Sequence, residues 1–459
     1  MPSTPSGLSQ ASTGSRSLAS MAKLRNGRWT NWAGNQSCLP SLIAHPATEG
    51  ELSDVVKRAS SAGQTVRVVG AGHSFTDCAL SHDVFVVLDR YDQVIGLDQT
   101  HKRVTVQAGM NLGALNELLL GVGLALPNLG DISYQTVSGA VSTSTHGTGS
   151  KLGVIATAIH AMTLIVGDGS VVSCSADDAD TTLFDCARVS LGALGIVSTL
   201  TFQCVEAFRL RAVEQAMRLD AVLESFDELM DTNDHMEFYW VPHTRWCLTK
   251  RNNRTNDPVD RTATKKLIEK TILENIAFGA VVKAGRLSPK LGSKVAKIVP
   301  SSGGPTTFVD DSFKVFTSPR FVKFVEMEYS IPREHLTHAL KELVAWHEKS
   351  GLYVSFPVEV RTVARDDIAL STASGRDSAY IAVHMSKGTS YEQWFRVHES
   401  ICKPLGGRPH WGKQHWQDAE DLAPRYAKWD DFQAQRKVLD PEGRFQNDYV
   451  KRVLGDITA

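Results

Sequence analysis

The sequence predicts an α+β protein of two domains, closed by a C-terminal segment that returns to the first. Three observations predict it. The chain has 459 residues, more than one domain usually holds. Short strand and helix patterns alternate up to about residue 205. Beyond that point, strand patterns separated by helical ones suggest an antiparallel sheet with helices on one face.

Hydrophobic residues make up 42% and charged residues 22%, the composition of a folded globular chain. Lys plus Arg (49) balances Asp plus Glu (50), so no field recruits a polyanion and nucleic acid is not an expected partner. The seven cysteines are scattered with no C-x-x-C pair, which points to a reducing, cytoplasmic setting rather than a disulfide framework. Residues 1–24 are rich in Ser, Thr and Pro, lack the apolar stretch of a secretory signal, and are expected to form a disordered tail. No run reaches the roughly eighteen apolar residues of a transmembrane segment.

Taken in order, an extended segment from Pro40 ends at Thr48, a good N-cap, before the periodic Leu52, Val55, Val56 and Ala59 of a helix closed by Gly63. The β-branched run 65–69 is a strand that stops at Gly70-Ala71-Gly72-His73-Ser74. Strands follow over 84–88, 94–97 and 103–107, then a helix over 112–120. The stretch 128–149 is small and polar, suited to close backbone approach by a ligand. Strands over 161–166, 169–174 and 197–204, with a helix over 183–191, complete a domain of residues 25–205. A second domain, 206–415, has predicted helices at 216–230 and 336–347 and strands at 238–241, 324–330, 354–361 and 379–384. Residues 261–299 form a basic insertion, read as a solvated helical surface. Residues 416–459 carry Trp429, Phe432, Leu439, Phe445 and Tyr449, enough apolar surface to dock on a core.

Four constellations carry chemistry. The glycine turn at 70–74 lets successive N–H groups converge on phosphate oxygens, yet it fails the dinucleotide fingerprint because no third glycine opens a helix. The run Ser142-Thr143-Ser144-Thr145-His146-Gly147-Thr148-Gly149 offers many donors and little bulk. In Val358-Glu359-Val360-Arg361, period two puts Glu359 and Arg361 on one strand face. The segment 408–416 packs His410, Trp411, Lys413, His415 and Trp416 together, either as an aromatic corner or as a metal pair through His410 and His415. No neighbouring carboxylate or cysteine completes a ligand set, so no metal is expected.

Together with Ala125 to Asn128 and the run 190–197, these motifs resemble the aldonolactone oxidoreductases of the vanillyl-alcohol oxidase flavoprotein superfamily, from about Trp29 onward. The resemblance implies an FAD-binding α+β domain and a substrate-binding cap domain. It implies FAD contacts at Gly70, Ala71, Gly72, His73, Ser74, Thr136, Gly139, Thr143, Ser144, Thr145, His146 and Ile196, with His73 at the place of the covalent link to the flavin. It implies substrate-pocket positions at Glu359, Arg361, His384, Ser386 and Lys413. Alditol-oxidising relatives place a serine where this chain has Asp131, which favours a lactone over a linear polyol and marks Asp131 as a substrate contact.

The expected reaction is FAD-dependent oxidation of a CH–OH group, with oxygen or another redox carrier as final acceptor. Arg361 and Lys413 supply positive charge, Glu359 accepts hydrogen bonds and holds Arg361, and His384 accepts a proton or orients its neighbours. Small residues around Ala108 and Gly109 are expected to guard the flavin from oxygen. Alditol oxidase is the alternative; an NADPH-dependent flavin reductase or a non-catalytic flavin-binding protein fits the motifs less well.

Overall fold

The computed structural model describes residues 23–260, 304–318, 320 and 322–457. The predicted tail lies outside the described residues except for Lys23 and Leu24, which open a short strand instead. The basic segment 261–299 also lies outside them.

The first half builds two layers around one core. Thr48 caps the helix Glu49–Ser61 by accepting from the Glu51 N–H, and Leu52, Val55, Val56 and Ala59 face inward as their spacing predicts. Strand Val66–Val69 pairs in parallel with Val84–Val87, which pairs on its other side with Leu42–Ala44. Beside them, a five-stranded antiparallel sheet runs Val171–Ser175, Ile159–Ile165, Ile196–Gln203, Arg103–Gln107, Val94–Asp98. The segment 128–149 contains a helix the residue pattern did not predict, Val137–Ser142, because its Gly and Ser content hides a turn capped by Thr136. The helix predicted over 183–191 is shorter, Thr182–Ala187. Leu191 and Gly192 both take positive φ, so the backbone turns away.

The sheet of the second half is antiparallel throughout. Among the described residues it has eight strands, in the order Thr306–Asp311, Arg209–Arg218, Trp246–Thr255, His235–Trp240, Val358–Val363, Ser378–Ser386, Phe324–Pro332, Arg408–Pro409. The helix predicted over 216–230 does not form as one element. Its beginning belongs to strand Arg209–Arg218, whose ten residues all pair with Trp246–Thr255, and only two short helices follow, Leu219–Glu224 and Phe226–Asp231. Cross-strand pairing outweighs the local helical spacing.

Alternation organises this sheet. Met236, Phe238, Trp240, Val325, Met327, Val358, Val360, Ile381 and Val383 face a core closed by the helices Leu336–Ser350 and Glu392–Cys402. Each such side chain contributes about 1.5–3 kcal/mol of burial. The residues between them face the first half of the chain, and that face bears the charge. The C-terminal segment returns to the first core, where Phe432, Leu439, Phe445 and Tyr449 pack with Val56, Leu115 and Leu194. Buried Arg67 ties the junction by donating to the carbonyls of Leu191 at 2.8 Å and Phe445 at 2.7 Å.

Candidate active site

Two adjoining cavities meet at His73, Ser74, Gln135 and Thr143. The first is a cradle of backbone and small side chains: Gly70, Ala71, Gly72, Thr136, Gly139, Leu191, Gly195 and Ile196. Strand Val66–Val69 delivers the turn to this place, and its neighbours pin it. Trp32 N–H donates to Gly72 O at 2.8 Å, and Phe75 N–H to Gly412 O at 2.7 Å. Glycine is required at 70 because a Cβ there would lie 2.2 Å from Thr136 Oγ1. At 72 the reason is φ of 71°. The His73 ring stacks between Trp32 at 5.4 Å and Tyr134 at 6.0 Å. Gln135 Oε1, where the cavities join, is buried without a hydrogen-bond partner. A narrow cradle of backbone groups with an unanswered buried acceptor fits an extended polar cofactor such as FAD.

The second cavity is roofed by the charged sheet face. Arg361 Nε donates to Glu237 Oε2 at 2.8 Å, and its terminal nitrogen bonds Glu359 Oε1 and lies 4.0 Å from Asp131 Oδ2. Tyr239 Oη lies 2.9 Å from Glu237 Oε1 and 3.3 Å from Glu359 Oε1. Asp131 is itself bonded to Arg320. Burial pushes these carboxyls up, but the answers differ. Arg320 and Arg361 hold Asp131 well below the usual carboxylate range, and Arg361 and Lys250 hold Glu237 down. For Glu359, burial wins despite Arg361, with Asp131 and Glu237 adding to the rise, and its pKa reaches about 7. Glu359 is therefore the carboxyl of this cluster that changes charge near neutrality.

Opposite, Lys413 bonds Glu326, and that carboxylate with Glu328 raises the lysine pKa against the effect of burial. His384 Nδ1 lies 3.2 Å from the carbonyl oxygen of Pro357, and its Nε2 lies 3.4 Å from Glu326 Oε1. Deeper in, His146 Nε2 lies 3.2 Å from Glu328 Oε1. Ligand atoms of His146, Glu328 and His410 fall within 4.8 Å of one another. Gly412 N–H already donates to His410 Nδ1 at 3.1 Å, which makes this a hydrogen-bonded network. The pairing of His410 with His415 considered from sequence does not form. His415 Nε2 meets Tyr449 Oη at 3.1 Å instead.

Of the residues expected from sequence, Asp131, Thr145, His146, Glu359, Arg361, His384 and Lys413 line the second cavity. Ser386 does not; it lies two positions beyond His384 and bonds Thr389 Oγ1 at 2.8 Å. Ser144 also lines neither cavity, because its hydroxyl turns to Thr372 at 3.1 Å. Ala108 and Gly109 likewise line neither. A Cβ at Gly109 would strike Leu88 O at 2.1 Å, so that glycine answers to packing. Glu237, Tyr239, Arg320, Glu326 and Glu328 join the site without having been singled out. For all of them but Arg320, the signal is the alternation of polar and apolar residues at 236–240 and 325–329.

Comparison with known proteins points to one family. The family model for D-arabinono-1,4-lactone oxidase matches residues 200–453, and that for the FAD binding domain matches residues 40–175. The chain is 40% identical over 427 residues to the L-gulono-1,4-lactone dehydrogenase of Mycobacterium tuberculosis (strain ATCC 25618 / H37Rv), covering 93% of this chain and 99% of that protein. It is 33% identical over 436 residues to the L-gulonolactone oxidase of Bos taurus, covering 93% and 98%. Among solved structures, cholesterol oxidase from B. sterolicum superposes with a TM-score of 0.79 at 16% identity, over 94% of this chain and 97% of that one. That likeness speaks to the fold alone.

Proposed function

Because this chain belongs to the aldonolactone oxidoreductase family of FAD-dependent enzymes, we propose that it oxidises a CH–OH group of a neutral aldonolactone such as L-gulono-1,4-lactone. The observation that carries the reading is a glycine and hydroxyl cradle opening directly onto a cavity roofed by Glu359, Arg361 and Lys413. In this reading residues 25–205 hold the cofactor, 206–415 the substrate, and 416–459 brace the first domain.

FAD, when bound, supplies the ring that accepts the hydride from the carbinol carbon. Gly70, Ala71, Gly72, Ser74, Thr136, Gly139, Thr143 and Ile196 would hold it, and His73 is the proposed point of covalent attachment. Glu359 takes the hydroxyl proton, because its pKa of about 7 suits a base working near neutrality. Arg361, held by Glu237 and Glu359, and Lys413, held by Glu326, stabilise negative charge that develops on oxygen. His384 positions Glu326, since its ring lies between that carboxylate and the Pro357 carbonyl.

Asp131 lines the cavity and stays ionised, so a ligand carboxylate brought against it meets repulsion that a neutral lactone escapes. With a dye as electron acceptor, kcat/KM should be high for L-gulono-1,4-lactone or galactonolactone and at least tenfold lower for gulonate, the open-chain acid. A preference for xylitol over both lactones would refute the assignment. Oxygen and a redox carrier are the two proposed routes of reoxidation, separated by an oxygen-consumption trace.

A further inference from the structure

One buried contact in the cavity wall has no part in the reaction just described. His146 is 3% exposed and Glu328 4%. Nδ1 of His146 lies 2.9 Å from the carbonyl oxygen of Gly147 and Nε2 lies 3.2 Å from Glu328 Oε1. A carbonyl only accepts, so Nδ1 carries a proton. An ionised carboxylate only accepts as well, so the approach at Nε2 requires a second proton between the two groups. The pair is then electrically neutral overall, where a neutral imidazole beside a bare carboxylate would carry one negative charge. In a dry interior, two facing acceptors without that proton would be costly.

The surroundings reinforce this arrangement. The Tyr380 ring packs 3.8 Å from that of His146. Glu328 is held below the usual carboxylate range against its burial, first by His146 and then by Lys413. His410 accepts from Gly412 N–H, and burial lowers its pKa to about 3, which leaves it a neutral neighbour. Glu326 is already engaged by Lys413 and His384. The charge of Glu328 is therefore answered chiefly by His146.

We propose that the proton shared by His146 and Glu328 cancels a carboxylate charge in the wall of the cavity that opens onto the cofactor cradle, and so keeps the reduction potential of FAD high enough to accept a hydride. This rests on the FAD reading above. A reduced flavin carries negative charge, and an uncompensated carboxylate in the same low-dielectric wall disfavours it. His146 and Glu328 are thus positioning residues, acting through charge rather than by contact with substrate.

The test measures the midpoint potential of the bound flavin, by equilibration with reference dyes, in the wild type and in His146→Gln, Glu328→Gln, His146→Lys and the double variant His146→Gln/Glu328→Gln. His146→Gln strands the carboxylate, and its potential should fall by at least the tenfold equivalent for a two-electron couple, about 30 mV. Removing the carboxylate as well should restore at least half of that fall. Glu328→Gln alone should change less than His146→Gln, and His146→Lys, which answers the charge by other chemistry, should stay near wild type. An unchanged potential in His146→Gln, or a double variant as low as the single, would overturn the proposal. So would a low potential in His146→Lys if His146→Gln cannot be isolated, or a stoichiometric divalent ion in the wild type in place of the proton. Absence of flavin absorbance in the wild type would instead defeat the FAD reading itself, before any potential is measured.

Discussion

Glu359 carries the clearest pH consequence. A base must be ionised to accept a proton, so the rate of flavin reduction should rise with pH through about 7 and then level. Glu359→Gln should remove that rise and slow reduction on the order of a hundredfold; a retained rise would assign the titration elsewhere. The same shift bears on stability. The carboxyl binds its proton more tightly folded than unfolded, so its contribution falls as pH climbs from about 4.5 to about 7, a trend absent in Glu359→Gln. At His73, acid-precipitated protein should stay yellow and His73→Ala should release its flavin; complete release from the wild type would exclude the covalent bond. His73, Glu359, Arg361 and Lys413 were legible because each sits in a compact motif. Asp131 was legible as a lining residue, but its engagement by Arg320, 189 positions away, was not, since no local pattern encodes so distant a partner.

At the scale of elements, strand alternation does most to make the site. Strand Val358–Val363 sends Val358 and Val360 to the helix-covered core and Glu359 and Arg361 to the cavity, as period two requires. Strands His235–Trp240 and Phe324–Pro332 repeat the device with Glu237, Tyr239, Glu326 and Glu328. Those residues escaped notice because a single acid among apolar residues is informative only once its strand is known to lie beside Glu359. The end of strand Arg209–Arg218, from Ala216, was read as the start of a helix for a related reason, since long-range pairing decides it. The cradle offers a direct check on the element that ends at residue 69. Gly70→Ala places a methyl group against the Thr136 side chain, and FAD occupancy should fall at least tenfold with far-ultraviolet circular dichroism unchanged. Full occupancy in that variant would mean that the turn does not approach the cofactor.

Over the whole molecule, the two cores do different work. One fixes the cradle, with the C-terminal segment locked into it by Phe432, Phe445 and Tyr449; the other flattens a sheet whose free face closes the cavity. The order of strands and helices in the first half followed from turn residues and caps; the antiparallel sheet of the second half was also legible, but not its full width, because strands Trp246–Thr255 and Thr306–Asp311 are too polar to announce burial. Arg361→Ala and Lys413→Ala should leave the flavin spectrum in place and slow its reduction about a hundredfold or more, since each removes one preorganised charge. The most direct measurement is anaerobic mixing of the purified protein with L-gulono-1,4-lactone while the visible absorbance of the flavin is followed. Complete bleaching in the wild type, slowed in Arg361→Ala with the same end point, is the predicted result; a flavin that stays oxidised under excess lactone would contradict it.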